Sequence, residues 1–153
     1  MNVWRPQQNI QFKALGLVWR DACLLASEIY QDDGSVKGVR PLGGRLEFGE
    51  TWHDALLREF EEELQVRVEV VGKPLFLENI YSHQGMVGHE IVVLSDVLFP
   101  DTAYHQQDVI EYLDDNGERC RARWFNPENL DCGGLELYPH GLKRALAERR
   151  RNF

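Results

Sequence analysis

One stretch of glutamates constrains this chain more than any other feature of its sequence. Residues 51–64 read TWHDALLREFEEEL and form the clearest predicted helix. Thr51 suits the N-cap, and Asp54, three residues on, acts as an acidic capping-box analogue. At roughly 100° per residue, with Ala55 at zero, Glu62, Glu59 and Glu63 fall near 340°, 40° and 80°. Trp52, Leu56, Leu57, Phe60 and Leu64 spread over the adjoining arc. Three carboxylates therefore make a ridge along the border of an apolar stripe. Like charges at i,i+3 and i,i+4 repel by a few tenths of a kcal/mol per pair, and Glu59 forms such pairs with both Glu62 and Glu63. Glu50, just before the helix, can fold back over the same ridge. A hard divalent cation, which prefers carboxylate oxygens, is the natural neutraliser. The plain alternative is a solvated acidic face. The apolar border weighs against it, because it puts the ridge at the edge of a buried surface, where clefts form.

The rest of the chain supplies a sheet for this helix to cover. Residues 12–30 are apolar with a charged break at Arg20-Asp21 and predict two strands. A turn cluster, Gln31 to Ser35, precedes a strand from Val36 to Leu42, which Gly43-Gly44 is expected to end. Further strands are predicted at Val66 to Val71, Phe76 to Tyr81 and Glu90 to Phe99. The last of these is apolar enough to be buried on both faces. Residues 109–125 read as a hairpin around Asn116-Gly117, with a type I′ turn. Tyr138 to Arg149 predicts a terminal helix. The first ten and last four residues read as frayed ends. At 153 residues, with no linker or repeat, residues 1–153 are expected to form one domain, an α/β (α+β) fold in which helices cover a sheet.

Residues 44–66, GRLEFGETWHDALLREFEEELQV, resemble the Nudix box, G-x5-E-x7-R-E-U-x-E-E-x-G-U, in which U is bulky and apolar. Gly44, Glu50, Arg58, Glu59, Glu62 and Glu63 fill its glycine and charged positions, and Phe60 and Val66 its apolar ones. Chance agreement at the six glycine and charged positions is on the order of 10⁻⁷ per start position at average residue usage. Gln65 stands where the family has a helix-ending glycine, at a cost of about 1 kcal/mol if φ stays positive. The resemblance implies an α/β/α sandwich with a central mixed sheet. It also implies metal-dependent hydrolysis of a nucleoside diphosphate linked to another moiety, of nucleotide or nucleotide-sugar type, by water attack on phosphorus. The competing reading is a catalytically weak or inactive Nudix-like nucleotide-binding or regulatory domain.

By the same resemblance, Glu59, Glu62 and Glu63 ligate Mg²⁺, for which Mn²⁺ can substitute, with the carbonyl of Gly43 or Gly44 as a further ligand. Glu50 is a supporting acid, and Arg58 fixes the loop and orients a glutamate. The general base comes from the box or from outside it, where Glu90 and Glu111 stand out among Glu78, Glu90, Asp108 and Glu111. Arg40, Tyr81, His89 and Glu90 are candidate substrate contacts. Tyr81 sits in a stretch, YSHQGMVGHE, whose glycines suggest a loop able to close. Trp19, Phe76 and Trp124-Phe125 are expected in the core.

Composition narrows the partners. A net charge of −8 argues against a nucleic-acid polymer, which needs a basic stripe. No apolar run approaches the length of a membrane span and no signal segment is evident, so no membrane partner is expected. Three cysteines without a C-x-x-C motif favour a reducing, cytoplasmic setting. A homodimer is compatible with the family.

Overall fold

The computed structural model describes residues 3–101 and 103–151, and of Arg151 the backbone alone. Within them nine strands and two helices follow in the order β1 (Ile10–Leu17), β2 (Trp19–Arg20), β3 (Cys23–Tyr30), β4 (Val36–Arg45), α1 (Trp52–Leu64), β5 (Glu69–His83), β6 (Met86–Leu98), β7 (Val109–Leu113), β8 (Arg119–Phe125), β9 (Glu136–Leu137) and α2 (Leu142–Arg151). The strand order is β5-β6-β1-β4-β3-β8-β7, with β2 beside β3 and β9 beside β4. β1 runs parallel to β6 and β4 parallel to β9, while the other pairs are antiparallel. This is the mixed sheet that the family resemblance implies.

A helix covers each face. Ala55, Leu56, Phe60 and Leu64 of α1 pack on Ala14, Val18, Leu25 and Leu42. Leu142 and Leu146 of α2 pack on Leu15, Leu17, Leu24, Val92 and Leu94. β1 thus buries alternate residues against opposite helices, as the period of two in a strand requires. In β6, Val92 to Ser95 are all buried, so that strand is covered on both faces as expected.

Strand β4 organises the cleft. Its first half pairs with β3, from Val36 to Pro41, and its second half with β1, from Leu42 to Arg45. Where it changes partner, the strands on either side diverge. Gly43-Gly44 therefore does not break the strand. Instead it lies inside the β1 ladder opposite Leu15 and Ala14. Gly43 holds φ 147°, and a Cβ there would lie 2.1 Å from the carbonyl oxygen of Ala14.

Several boundaries differ from expectation. The segments around Val66–Val71 and Phe76–Tyr81 are one long strand, β5, whose register shifts between Val71 and Leu75, where Gly72 takes φ 76°. The supposed loop around Tyr81 is the tip of the β5–β6 hairpin. Its turn residues, Gln84 and Gly85, have φ 50° and 81°. That pair of positive angles was expected at Asn116-Gly117, where only Gly117 has it. There Asp114 Oδ1 accepts from the N–H groups of Asn116 and Glu118, so a longer side-chain-braced turn replaces the two-residue one. Helix α2 starts at Leu142 rather than Tyr138. Residues 3–9 are not frayed, since Arg5 pairs with Asp32 and Pro6 is buried. Ile10 opens β1 and Arg150 and Arg151 close α2, so they are not frayed either, while Met1, Asn2, Asn152 and Phe153 lie outside the described residues.

Phe76 is 65% exposed rather than in the core. It shares an uncovered sheet face with Ile80 of the same strand and Ile10 and Phe12 of β1, all more than half exposed. Trp19, Trp124 and Phe125 do pack against the buried clusters.

Thr51 Oγ1 accepts from the N–H of Asp54 at 3.1 Å, which caps α1 as expected. At its other end Gln65 holds φ 53°, and its side-chain amide donates to the carbonyl of Glu62 at 2.9 Å. The left-handed angle is thus retained without glycine. Gln65→Gly should raise unfolding stability by about 0.5–1 kcal/mol, because the strain relieved exceeds the surface hydrogen bond lost. Urea denaturation at fixed pH measures it, and a loss of stability would contradict the strain.

Candidate active site

The site is built where α1 packs on β4. Glu59 is only 2% exposed, and a Cβ on Gly44 would lie 2.4 Å from its Oε1. Only glycine lets the strand approach the carboxylate this closely. Glu59 sits beside Phe60, whose packing fixes the rotation of the helix and therefore the aim of the carboxylate.

Arg58 ties the ridge together. Its Nε donates to Glu50 Oε2 at 2.7 Å and its Nη2 to Glu50 Oε1 at 2.9 Å, a two-pronged pairing that draws the pre-helix loop onto α1. Nη1 donates to Glu59 Oε1 at 3.1 Å and to Glu62 Oε2 at 3.3 Å, and Nη2 to the carbonyl of Arg45 at 3.0 Å. The Glu50 carboxyl is held below the usual range by Arg58. The Arg58 guanidinium is shifted further upward by Glu50 and its acidic neighbours.

A single arginine does not neutralise the cluster. Among the described residues, the buried Glu59 Oε2 has no hydrogen-bond partner. One oxygen each from Glu59, Glu62 and Asp115 lie within 4.8 Å of one another. Burial pushes the Glu59 carboxyl up, and Asp115 adds to this. Burial raises Glu63 to about 8, with Glu59 the next contributor. An all-oxygen set with one buried lone carboxylate oxygen fits a hard divalent cation. Asp115 was not singled out from the sequence. It lies in the β7–β8 turn, more than fifty residues from the ridge, and only the sheet order brings it there.

A cleft of about 550 Å³ opens between the diverging strands. Glu63, Arg40, Tyr81 and Glu90 all line it, which brings together three expected substrate contacts and one ridge acid. Glu90 is buried, with Lys13 Nζ 2.7 Å from its Oε2 and Asn79 Nδ2 donating to its Oε1 at 3.0 Å. Burial alone would raise its pKa, but Lys13 and Asn79 outweigh that and hold the carboxyl below the usual range. Tyr81 is raised to about 12 by burial, with Glu90 adding to it. His89 and Glu111 do not reach the cleft. They alternate with Glu90 and Tyr112, which line it, and so lie on the opposite strand faces. Glu78 is exposed outside the cleft, and Asp108 pairs with Arg20 at 3.2 Å.

A family model described as NUDIX domain matches residues 11–148. The chain belongs to the NUDIX family. It is a pyrophosphohydrolase, in a family that hydrolyses small-molecule nucleoside diphosphate derivatives and generally uses divalent metals. Solved structures share the fold at low identity. The Escherichia coli ORF135 protein is 20% identical, with a TM-score of 0.59, covering 94% of this chain and 92% of its own. A Nudix hydrolase from Nitrosomonas europaea is 16% identical, with a TM-score of 0.59 over 94% and 90%. A MutT Nudix hydrolase from Burkholderia pseudomallei is 19% identical, with a TM-score of 0.54 over 92% and 98%. No curated protein sequence matches the chain.

The Glu63 shift has a consequence for stability. A carboxyl raised from 4.5 to about 8 keeps a proton in the folded state that the unfolded chain releases. It therefore costs stability progressively as pH rises through that window, and fully above it. In EDTA, Glu63→Gln should stabilise the protein by about 2 kcal/mol at pH 8, discounted for solvent from 1.36 kcal/mol per pH unit, and by little at pH 4.5. Urea titrations at both values check the sign. A gain that is equal at both, or larger at pH 4.5, would contradict the assignment.

Proposed function

We propose that this Nudix enzyme hydrolyses the diphosphate of a nucleotide or nucleotide-sugar type substrate at the acidic end of its cleft, with a divalent cation as cofactor. The observation that carries this is the buried, partnerless Oε2 of Glu59 next to Glu62 and Asp115. Glu59, Glu62 and Asp115 would hold Mg²⁺, or Mn²⁺ through the same oxygens, with Glu63 and a Gly43 or Gly44 carbonyl as further donors. Bound there, such an ion neutralises phosphate oxygens and acidifies a coordinated water.

The protein's own residues do the positioning. Arg58 holds Glu59 and Glu62 in register and anchors Glu50, which keeps the loop before α1 against the helix. Arg40, which lines the cleft beside Glu63, is suited to a phosphate oxygen of the substrate. Tyr81 borders the same space and offers its hydroxyl as a donor. Glu90 is already engaged by Lys13 and Asn79, so it serves better as a fixed wall than as a proton acceptor. The geometry therefore favours a base from the ridge itself, where Glu62 is half exposed and open to water. That complete acid set also favours turnover over a purely nucleotide-binding or regulatory domain.

Other partners follow from the surface. The apolar face of Ile10, Phe12, Phe76 and Ile80 is of a kind that usually marks an interaction site. We assign it to a second copy of the chain, whose identical apolar face would cover it about a two-fold axis. Net charge −8 disfavours a nucleic-acid polymer. Among the described residues no helix is long and apolar enough to cross a membrane. Cys23, Cys120 and Cys132 are all free, which suits the reducing cytoplasm.

Two measurements test this reading. Phosphate release from a panel of nucleoside triphosphates, ADP-ribose, nucleotide sugars and dinucleoside polyphosphates should require Mg²⁺ and stop in EDTA. Glu62→Gln should lower kcat by about 10²–10³ with its melting temperature kept, a loss typical of removing one catalytic group. Unchanged turnover in that variant would sink the site. For the dimer, Phe76→Glu should shift the mass measured by light scattering from two chains to one; an unchanged mass would refute that face as the contact.

A further inference from the structure

The cleft has a second, chemically different end. Trp4, Lys37, His83 and Tyr138 line it there. Trp4 belongs to residues 3–9, ahead of β1, and that arm is fastened at two places. Arg5 Nη1 donates to Asp32 Oδ1 at 3.0 Å and Nη2 to Asp32 Oδ2 at 2.6 Å, which pins it to the β3–β4 turn. Gln8 Nε2 donates to the carbonyl of Val87 at 3.2 Å, which pins it to β6. The arm therefore forms a side wall of the cleft.

The indole it carries is 53% exposed. It meets the His83 ring at a centroid separation of 5.3 Å and an interplanar angle of 62°. An edge contact of this kind leaves indole surface open to the cleft. Behind it, Lys37 Nζ lies 3.2 Å from His83 Nδ1 and 5.4 Å from the centre of the Tyr138 ring. Burial and the neighbouring Lys37 and Arg5 cations hold His83 below its usual pKa, so it stays a neutral imidazole with one donor nitrogen. An open aromatic face, a neutral imidazole and an ammonium suit a flat heteroaromatic ring with hydrogen-bonding edges. They suit a bare sugar or an alkyl chain less well. Asp32, which lines this end, is already occupied by Arg5.

We propose that Trp4 is a specificity-determining residue, stacking on the planar base of the substrate, and that the arm clamped by Arg5 and Asp32 completes a base-binding subsite. The substrates selected are then nucleoside diphosphate derivatives whose base lies against Trp4, rather than diphosphates whose organic part lacks an aromatic ring. This deepens the reading of the acidic end as the reaction centre and rests on it for the direction in which the substrate lies.

The test uses the whole protein in EDTA, so that no metal or turnover enters the readout. Calorimetric titration with AMP, GMP, CMP and UMP, and with ribose 5-phosphate as the base-free control, gives the affinities. At least one nucleoside monophosphate should bind the wild-type protein. Trp4→Ala should weaken it about tenfold, within the range found when a stacking side chain is removed. Trp4→Phe should restore most of that loss, and Arg5→Ala, which frees the arm without touching the ring, should weaken it in the same direction. The affinity for ribose 5-phosphate should not move. With Mg²⁺, Trp4→Ala should raise KM and leave kcat within about twofold. Failure of every nucleoside monophosphate to bind, or equal binding by wild type and Trp4→Ala, would overturn the subsite even if metal-dependent hydrolysis holds. If Glu62→Gln stays active while Trp4→Ala weakens binding in EDTA, the reaction centre fails and the base subsite stands.

Discussion

The burial of one carboxylate, that of Glu59, sets the terms for the rest of the site. Taking an ionised group out of water costs several kcal/mol unless opposite charge and hydrogen bonds compensate. Arg58 compensates one oxygen at 3.1 Å, and the other is left without a partner. Such an arrangement persists only if something stronger holds the helix in place. The packing of Ala55, Leu56, Phe60 and Leu64 on the β1, β3 and β4 face does so, since each buried large side chain contributes on the order of 1.5–3 kcal/mol. The apolar core thus holds an electrostatically unfavourable ridge, and Gly44 gives it the room. Core packing and the proposed metal site are coupled through adjacent residues, Glu59 and Phe60.

The cleft follows from the way β4 is shared. A strand that pairs with β3 in its first half and β1 in its second cannot keep both neighbours parallel to each other. The gap that opens is lined from both sides, with Lys13, Asn79, Tyr81 and Glu90 from one group of strands and Ser27, Tyr112 and Cys120 from the other. The helix ridge closes one end of the gap, and the arm with Trp4 borders the other. A chain of net charge −8 can therefore still offer an anionic ligand a graded path. Lys13, Lys37, Arg40 and Arg119 line the cleft, with Arg40 close enough to the ridge acid Glu63 to act on its charge.

What the sequence revealed was what is local. The helix, its Thr51 cap and the acid ridge depend on spacings of three and four residues, and each is found in the structure, whereas Gln65 left the helix exit open until its φ of 53° was seen. Strand ends were less legible. Gly43-Gly44 reads as a breaker, yet the close approach to Glu59 is what requires glycine there. Gly72 reads as an end and is a register shift within β5. Asp115 left no readable signal, because Asp114-Asp115-Asn116-Gly117 has the composition of an ordinary turn. Its place beside Glu59 depends on β7 lying at the end of the strand order. The separation of Glu90 from His89 needed only strand parity, but parity cannot be applied until it is known which face opens on the cleft.

Two cleft carboxylates are pushed in opposite directions, and the contrast says what this cavity is built for. Glu90 is nearly as buried as Glu59, yet Lys13 at 2.7 Å and Asn79 at 3.0 Å keep it ionised. Its charge is balanced in the absence of any ligand. At Glu63, burial and the acids Glu59, Asp115 and Asp114 outweigh the cation of Arg40 and raise the carboxyl to about 8. A cation entering the ridge would lower that pKa and expel the proton, since metal binding and deprotonation of acid ligands are linked. The floor at Glu90 is thus electrostatically complete, whereas the ridge becomes complete only when positive charge arrives. An anionic diphosphate alone would worsen the repulsion there, and a diphosphate accompanied by a divalent cation would relieve it. On the proposed reading, the acids whose repulsion costs the protein stability select for substrate and metal together.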